Sequence, residues 1–381
     1  MVTLFRLVIG LLWVVVSGAA HAAVVPVPAA PAIDARSFIL QDYHTGKVLA
    51  EKNAGERLAP ASITKLMTAY VVFKALAEGK VGLDDQVYVS EKAWRMKGSR
   101  MFIEVGKRVR LDDLLRGMIV QSGNDASVAL AEHVAGNEAV FATLMNAEAQ
   151  TLGMSNSHFV NATGLPGKDH YMSARDIAVL AAALIRDFPD QYIRYSQKEY
   201  SYGGITQHNR NKLLWRDDSV DGLKTGYTES AGYCLVSSAE RDGMRLISVV
   251  MGTKSPKARV NHSQALLSYG FRFFETPRLY AAGEPLEQPR VWKGQVEHVP
   301  VGLKTDLYVT IPRGQSAALN SDIELEPGIV APVDGGQTLG KVVVSLGGEP
   351  LARQPLVALK AVPEGGLWRQ AMDSVLQWWH E

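Results

Sequence analysis

The sequence holds a single cysteine, Cys234, in 381 residues. No intrachain disulfide is possible, so the fold must be held by packing and hydrogen bonds. Cys234 lies in Tyr233-Cys234-Leu235-Val236, a run that predicts a buried strand in which the thiol serves as a small apolar side chain. A surplus of one charge is also missing. The formal net charge is +1, and Arg6 is the only Lys, Arg, Asp or Glu in the first 22 residues, leaving 39 basic and 39 acidic residues after them. A chain balanced in this way offers no broad basic face, and nucleic acid is not expected as a partner. There is no Gly-x-Ser-x-Gly elbow, no His-Glu-x-x-His and no Walker-type loop, and the nine histidines are scattered. No metal and no cofactor are implied.

What is present begins with an export signal. Arg6, the apolar run Leu7–Val16 and Ser17-Gly18-Ala19-Ala20-His21-Ala22 form a secretory leader with cleavage expected after Ala22. The run is shorter than the roughly 20 apolar residues a membrane span requires. The segment from Val24 to Ile33, rich in Ala, Val and Pro, is expected to be extended and mobile.

From Ser37 the pattern becomes regular. Ser37–Tyr43 and Lys47–Glu51 flank His44-Thr45-Gly46 and predict a hairpin. A helix is expected over Ser62–Glu78, with an apolar stripe at Leu66, Met67, Tyr70, Val71 and Ala75 and a stop at Gly79. Further helices are expected at Asp112–Val120, Asp125–Ala135, Val140–Leu152 and Ala174–Asp187, with Gln121-Ser122-Gly123-Asn124 as a tight corner. Val220–Gly226, Gly232–Ala239 and Arg245–Met251 predict strands, the first at a sheet edge. Strands at both ends with helices between them imply one α/β or α+β domain over 23–275, the α+β class being the expectation, built on one antiparallel sheet.

Beyond Thr276-Pro277 the helical period vanishes. Short alternating runs between Pro and Gly residues predict a small all-β sandwich over 276–362. The last segment, 363–381, is an amphipathic helix. Leu367, Trp368, Ala371, Met372, Val375, Leu376 and Trp379 form one face, and Arg369, Gln370, Asp373, Ser374 and Gln377 the other. Such a face suits a membrane interface or a docking site on its own protein, and interfacial anchoring is the reading carried forward.

Three singletons carry the chemistry. Ser62-x-x-Lys65 is the only Ser-x-x-Lys, Ser122-x-Asn124 the only Ser-x-Asn, and Lys224-Thr225-Gly226 the only Lys-Thr/Ser-Gly. They fall in that order on a helix start, a helix–helix corner and an edge strand. An acyl transfer needs a nucleophile, a base, a proton route and donors for an oxyanion. Ser62 supplies the hydroxyl. Lys65 serves as base if burial and the nearby cation of Lys224 lower its pKa. Ser122 can relay a proton, and Asn124 can orient Lys65 or hold a substrate amide.

This triple is the signature of class A β-lactamases and penicillin-binding proteins. The chain resembles the low-molecular-mass penicillin-binding proteins, and among them the D-alanyl-D-alanine carboxypeptidases. The resemblance extends to Gln121-Ser122-Gly123-Asn124-Asp125-Ala126, Ser173-Ala174-Arg175-Asp176, Asn209-Arg210-Asn211 and Tyr269-Gly270-Phe271-Arg272-Phe273-Phe274-Glu275-Thr276. It implies a β-lactamase-like fold and removal of the terminal D-Ala from peptidoglycan stem peptides. It also implies covalent inhibition by β-lactams, and a place on the periplasmic face of the inner membrane. By the same resemblance, the backbone N–H groups of Ser62 and Tyr227 form an oxyanion hole. Thr225 and Arg259 grip the substrate carboxylate beside Gly226, while Arg210 either shapes that pocket or forms a structural salt bridge. Tyr227 departs from the pattern, since close relatives often carry His there. No Glu occurs between Glu148 and Glu199, so the deacylating glutamate of class A β-lactamases has no counterpart. That absence argues against a β-lactamase. A DD-endopeptidase or weak β-lactamase on the same scaffold and a catalytically feeble wall-binding protein are the competing expectations, and the four intact residues Ser62, Lys65, Ser122 and Lys224 count against the wall-binding protein.

Overall fold

The structure, a computed structural model, describes residues 27–380; the expected leader lies outside them. The chain opens with the hairpin β1 (Ser37–Asp42) and β2 (Val48–Lys52). A 3₁₀ turn, Ala61–Thr64, leads into α1 (Lys65–Ala77). The short strands β3 (Gln86–Tyr88) and β4 (Arg108–Arg110) bracket α2 (Glu91–Trp94). Then α3 (Leu111–Arg116) runs into a π-helical turn, Gly117–Gln121, ahead of α4 (Asn124–Ala135). After α5 (Glu138–Thr151), α6 (Ala174–Asp187) and α7 (Pro189–Tyr192), a second hairpin forms from β5 (Glu199–Tyr202) and β6 (Ile205–His208). The meander β7 (Val220–Thr228), β8 (Gly232–Arg241) and β9 (Met244–Thr253) leads to α8 (Pro256–Phe273).

The main sheet is antiparallel in the order β2-β1-β9-β8-β7, so the two ends of this domain meet at its centre and β7 is an edge. Strand alternation divides its side chains between two cores. Ile39, Val236 and Val249 join one core with α1, α4 and α6, while their neighbours Leu40, Leu235 and Val250 join another with Leu266, Leu267 and Phe271 of α8. The helix α1 differs from the expected one-sided stripe. Every residue from Lys65 to Phe73 is buried, so it is a central helix enclosed on all sides. It ends as the sequence predicts, with Gly79 at φ +69°. The segment before β1 also differs from expectation. Ile33 is buried, Val27 packs on the α8 core and the Pro28 carbonyl accepts Tyr269 Oη–H at 2.9 Å, so residues 27–33 are docked.

The C-terminal part is all-β. Its largest sheet runs Pro285–Glu287, Val301–Gly302, Glu349–Ala358, Thr338–Leu346 and Leu319–Leu325, in that order across the sheet. The buried carboxylate of Asp42 ties the two parts together. One oxygen accepts from Thr45 N–H and hydroxyl, the other from Thr276 Oγ1 at 2.8 Å, and His44 stacks on Tyr308 with ring centroids 4.1 Å apart.

The chain ends in α9 (Leu367–His380). Its polar side faces the protein: buried Asp373 accepts the Lys293 N–H at 2.6 Å and pairs with Arg290, and Arg369 pairs with Glu297. Leu367, Trp368, Met372 and Val375 are left exposed. Among the described residues, no helix is long and apolar enough to cross a membrane.

Candidate active site

Ser62 and Lys65 are three residues apart across the 3₁₀ turn and the first residue of α1. Side chains at i and i+3 eclipse in 3₁₀ geometry, which places the amine directly beside the hydroxyl. Lys65 Nζ lies 3.1 Å from Ser62 Oγ and donates to Asn124 Oδ1 and to the Thr163 carbonyl, both at 2.7 Å. Lys65 is only 1% exposed, and burial with the Arg210 guanidinium pushes its pKa down to about 7 against the opposing pull of Asp125. With its ordinary pKa of 10.5, roughly one amine in three thousand would be neutral at pH 7; here about half are.

The corner between α3 and α4 presents the second motif. The π turn ends at Ser122 in the left-handed conformation, φ +71°. A non-glycine residue there is uncommon and its strain marks a functional position. Ser122 Oγ is buried with no hydrogen-bond partner among the described residues. Asn124 opens α4, accepting the Lys65 Nζ–H hydrogen bond on Oδ1 and donating through Nδ2 to the Lys97 carbonyl at 2.6 Å. Asp125 accepts the backbone N–H groups of Met101, Phe102, Ala126 and Ile103, which fixes the neighbouring loop as a rim.

The third motif lies on the edge strand β7. Lys224 is buried, and its ammonium is disfavoured first by that burial and then by Lys65, Arg210 and Arg259. Arg210 lowers Lys65, and the repulsion between Lys65 and Lys224 is mutual, so both cations act at the base. A Cβ at Gly226 would lie 2.9 Å from the Pro60 carbonyl, so only glycine lets β7 approach the Ser62 turn this closely. Arg259, on α8, donates to the carbonyls of Gly226 and Cys234 at 3.1 and 3.4 Å. Tyr227 is half exposed and stacks on Tyr233 at 4.2 Å.

These elements enclose a cavity of about 530 Å³, lined among others by Ser62, Ser122, Asn124, Thr225, Gly226, Tyr227, Arg210 and Arg259. Lys65 and Lys224 lie buried beside it. Arg210 has no ion pair among the described residues, which leaves its charge to the cavity. Among the described residues, no carboxylate lines the wall. Three contributors carry no sequence signal. The Thr163 carbonyl is a backbone group, Arg100 reaches the cavity from the rim, and Phe102 joins it at φ +68°.

A serine hydroxyl beside a desolvated amine, with an edge strand opposite and a cationic cavity between, defines a serine acyl-transfer site. Comparison with known proteins narrows the class. Residues 24–255 match the family model described as D-alanyl-D-alanine carboxypeptidase, and residues 274–364 match that of the penicillin-binding protein 5 C-terminal domain. D-alanyl-D-alanine carboxypeptidase DacC of Escherichia coli is 44% identical over 360 residues, spanning 92% of this chain and 90% of that one. The crystal structure of penicillin-binding protein 5 from Haemophilus influenzae aligns with a TM-score of 0.83 at 42% identity, covering 88% of this chain and all of the other. Penicillin-binding protein D2 of Listeria monocytogenes, solved in its ampicillin-bound form, aligns at 0.60 and 30% identity over 64% of this chain and 100% of that one. The chain belongs to the D-alanyl-D-alanine carboxypeptidase family of serine peptidases.

Proposed function

We propose that the protein removes the terminal D-Ala from peptidoglycan pentapeptide stems through an acyl ester on Ser62. The observation that carries this reading is the 3.1 Å contact between Ser62 Oγ and an amine whose pKa is lowered to about 7. Neutral Lys65 takes the Ser62 proton as Oγ attacks the carbonyl of the penultimate residue, and the backbone N–H groups of Ser62 and Tyr227 receive the oxyanion. Ser122 passes a proton to the departing D-Ala amine as the amide bond breaks. Water then cleaves the ester and restores the hydroxyl. Thr225 and Arg259 hold the terminal carboxylate beside Gly226, with Asn124 and Lys224 around the scissile bond and Arg210 supplying further positive charge.

β-Lactams enter the same path and stop at the ester. Among the described residues no carboxylate lines the cavity wall to activate water, which favours long-lived adducts and argues against a β-lactamase. Incubation with a D-Ala-D-Ala-ended peptide tests the assignment. The wild type releases D-Ala and Ser62→Ala releases none. A wild type that binds penicillin covalently yet releases nothing favours a wall-binding role instead.

The same reading extends to the chain's layout and location. Residues 1–22 act as an export signal, 23–275 form the catalytic domain, 276–362 the β-rich domain and 363–381 an anchor on the periplasmic face of the inner membrane. What supports the anchor is that α9 is held by Asp373 and Arg369 while its apolar residues stay exposed. Deleting 366–381 shifts the protein from the membrane to the soluble fraction with peptidase activity retained; an unchanged distribution refutes the anchor.

A further inference from the structure

Behind Ser62 and Lys65 lies the segment 158–172, closed by the paired backbones of His158 and Tyr171. It meets the catalytic turn at four points. The Thr163 carbonyl accepts from Lys65 Nζ, and the Ala162 carbonyl accepts from Thr68 Oγ1, each at 2.7 Å. Gly164 packs so tightly on Ala61 that a Cβ would fall 1.8 Å from its carbonyl oxygen. Finally, His170 Nε2 lies 2.8 Å from Thr64 Oγ1.

The other ring nitrogen of His170, Nδ1, lies 3.1 Å from the Val160 backbone nitrogen. A backbone N–H only donates, so Nδ1 must carry the lone pair and Nε2 the proton. Nε2 therefore donates to Thr64. The ring is buried, 6% exposed, and its charged surroundings are sparse. The charged groups that act on it are His158 and Glu138, the latter accepting the Ala162 N–H at 3.0 Å and pairing with Lys92 at 2.7 Å. His170 thus bridges Thr64, which sits between nucleophile and base, to Val160, three residues before the carbonyl that holds the base.

We propose that His170 is a positioning residue whose neutral imidazole clamps Val160–Thr163 to the catalytic turn and so keeps the Thr163 carbonyl on Lys65 Nζ. It touches neither substrate nor the reacting atoms. The inference rests on Lys65 being the base, as assigned above. A carbonyl acceptor favours the ammonium form and fixes the direction of the amine. Losing it moves the acid limb of the rate profile to lower pH and lowers the plateau, without altering the carboxylate grip on β7.

The test is the pH dependence of acylation by a fluorescent penicillin, with KM for a D-Ala-D-Ala peptide measured alongside. His170→Ala shifts the acid limb downward and cuts the plateau roughly 10- to 100-fold, the scale of a misplaced catalytic group, with KM within about twofold. His170→Asn keeps only the acceptor for Val160 and His170→Gln only the donor for Thr64, so each breaks the bridge at one end and shifts the limb in the same direction as Ala. An unshifted limb in the Ala variant, or a wild-type profile in the Asn or Gln variant, overturns the proposal. If the Ala variant does not fold, the Asn and Gln pair decides alone. A Lys65→Ala enzyme that still acylates overturns the functional reading and this inference together. An inactive Lys65→Ala enzyme with an unmoved limb in the His170 series overturns only the latter.

Discussion

Lys65 donates to the backbone carbonyl of Thr163 at 2.7 Å, so the amine beside the nucleophile is aimed partly by a peptide group that no side chain can replace. Together with Asn124 Oδ1 it leaves the ammonium well bonded but dehydrated. The desolvation outweighs those bonds, and the pKa drops to about 7.

The first prediction concerns that balance. Acylation should rise about tenfold per pH unit below pH 7 and level off above it, as neutral Lys65 accumulates. Arg210 is a cause of the lowering, so Arg210→Gln should move the limb to higher pH. An Arg210→Gln limb that stays in place would show that burial alone sets the value.

Ser122 offers a separation of stability from turnover. Its hydroxyl is buried and unpartnered, so Ser122→Ala should leave the unfolding free energy within about 1 kcal/mol of the wild type. D-Ala release should nevertheless fall roughly 10²- to 10⁴-fold if the hydroxyl relays a proton. Denaturant midpoints and turnover on the same preparation check both halves. A large loss of stability contradicts the first, and near-normal turnover contradicts the second.

Two glycines should fail in different ways. At Gly164 a Cβ would meet the Ala61 carbonyl at 1.8 Å with φ at +82°, so Gly164→Ala should cost more than about 4 kcal/mol or prevent folding. At Gly226 the contact with Pro60 is 2.9 Å and the backbone is ordinary. Gly226→Ala should fold, yet move β7 from Ser62 and slow acylation at least about tenfold. Equal stability losses would sink this contrast.

His170 should also leave a mark on acid stability. Burial lowers its pKa from 6.5 to about 4. Between those values the unfolded chain binds a proton that the folded chain refuses, so stability is full above pH 6.5 and drains away as pH falls toward 4. The difference is worth roughly 3 kcal/mol. Urea midpoints at pH 7 and pH 4.5 should diverge less in His170→Asn than in the wild type, and parallel slopes would refute the linkage.

Much of the frame was legible because it repeats at strand and helix periods. The β1–β2 hairpin, α6 and the β7–β9 meander fall within a residue or two of their expected bounds. The three motifs converge because glycine and left-handed turns bring distant segments together. Other features lay beyond reach. Ser62 starts in a 3₁₀ turn rather than an α-helix, which residue identities do not dictate. Only the fold reveals that α1 is enclosed, since its periodic residues suggested a stripe and the small or polar ones between them are buried too. The helix α8 mixes charged and apolar residues without a strong stripe, so its period gives no helix signal. Thr163 and His170 act through a carbonyl and a bridge, and such roles depend on what folds against them.

Cys234 lies buried on β8, and burial pushes its thiol up to about 11. At neutral pH roughly one molecule in ten thousand carries the thiolate, the form that reacts. The native chain therefore reaches its structure without waiting on an oxidant and presents almost nothing to alkylating reagents. A cysteine placed at an exposed position such as Trp94 or Val296 would be the one reactive thiol in the protein, so the wild-type sequence is already suited to single-site labelling.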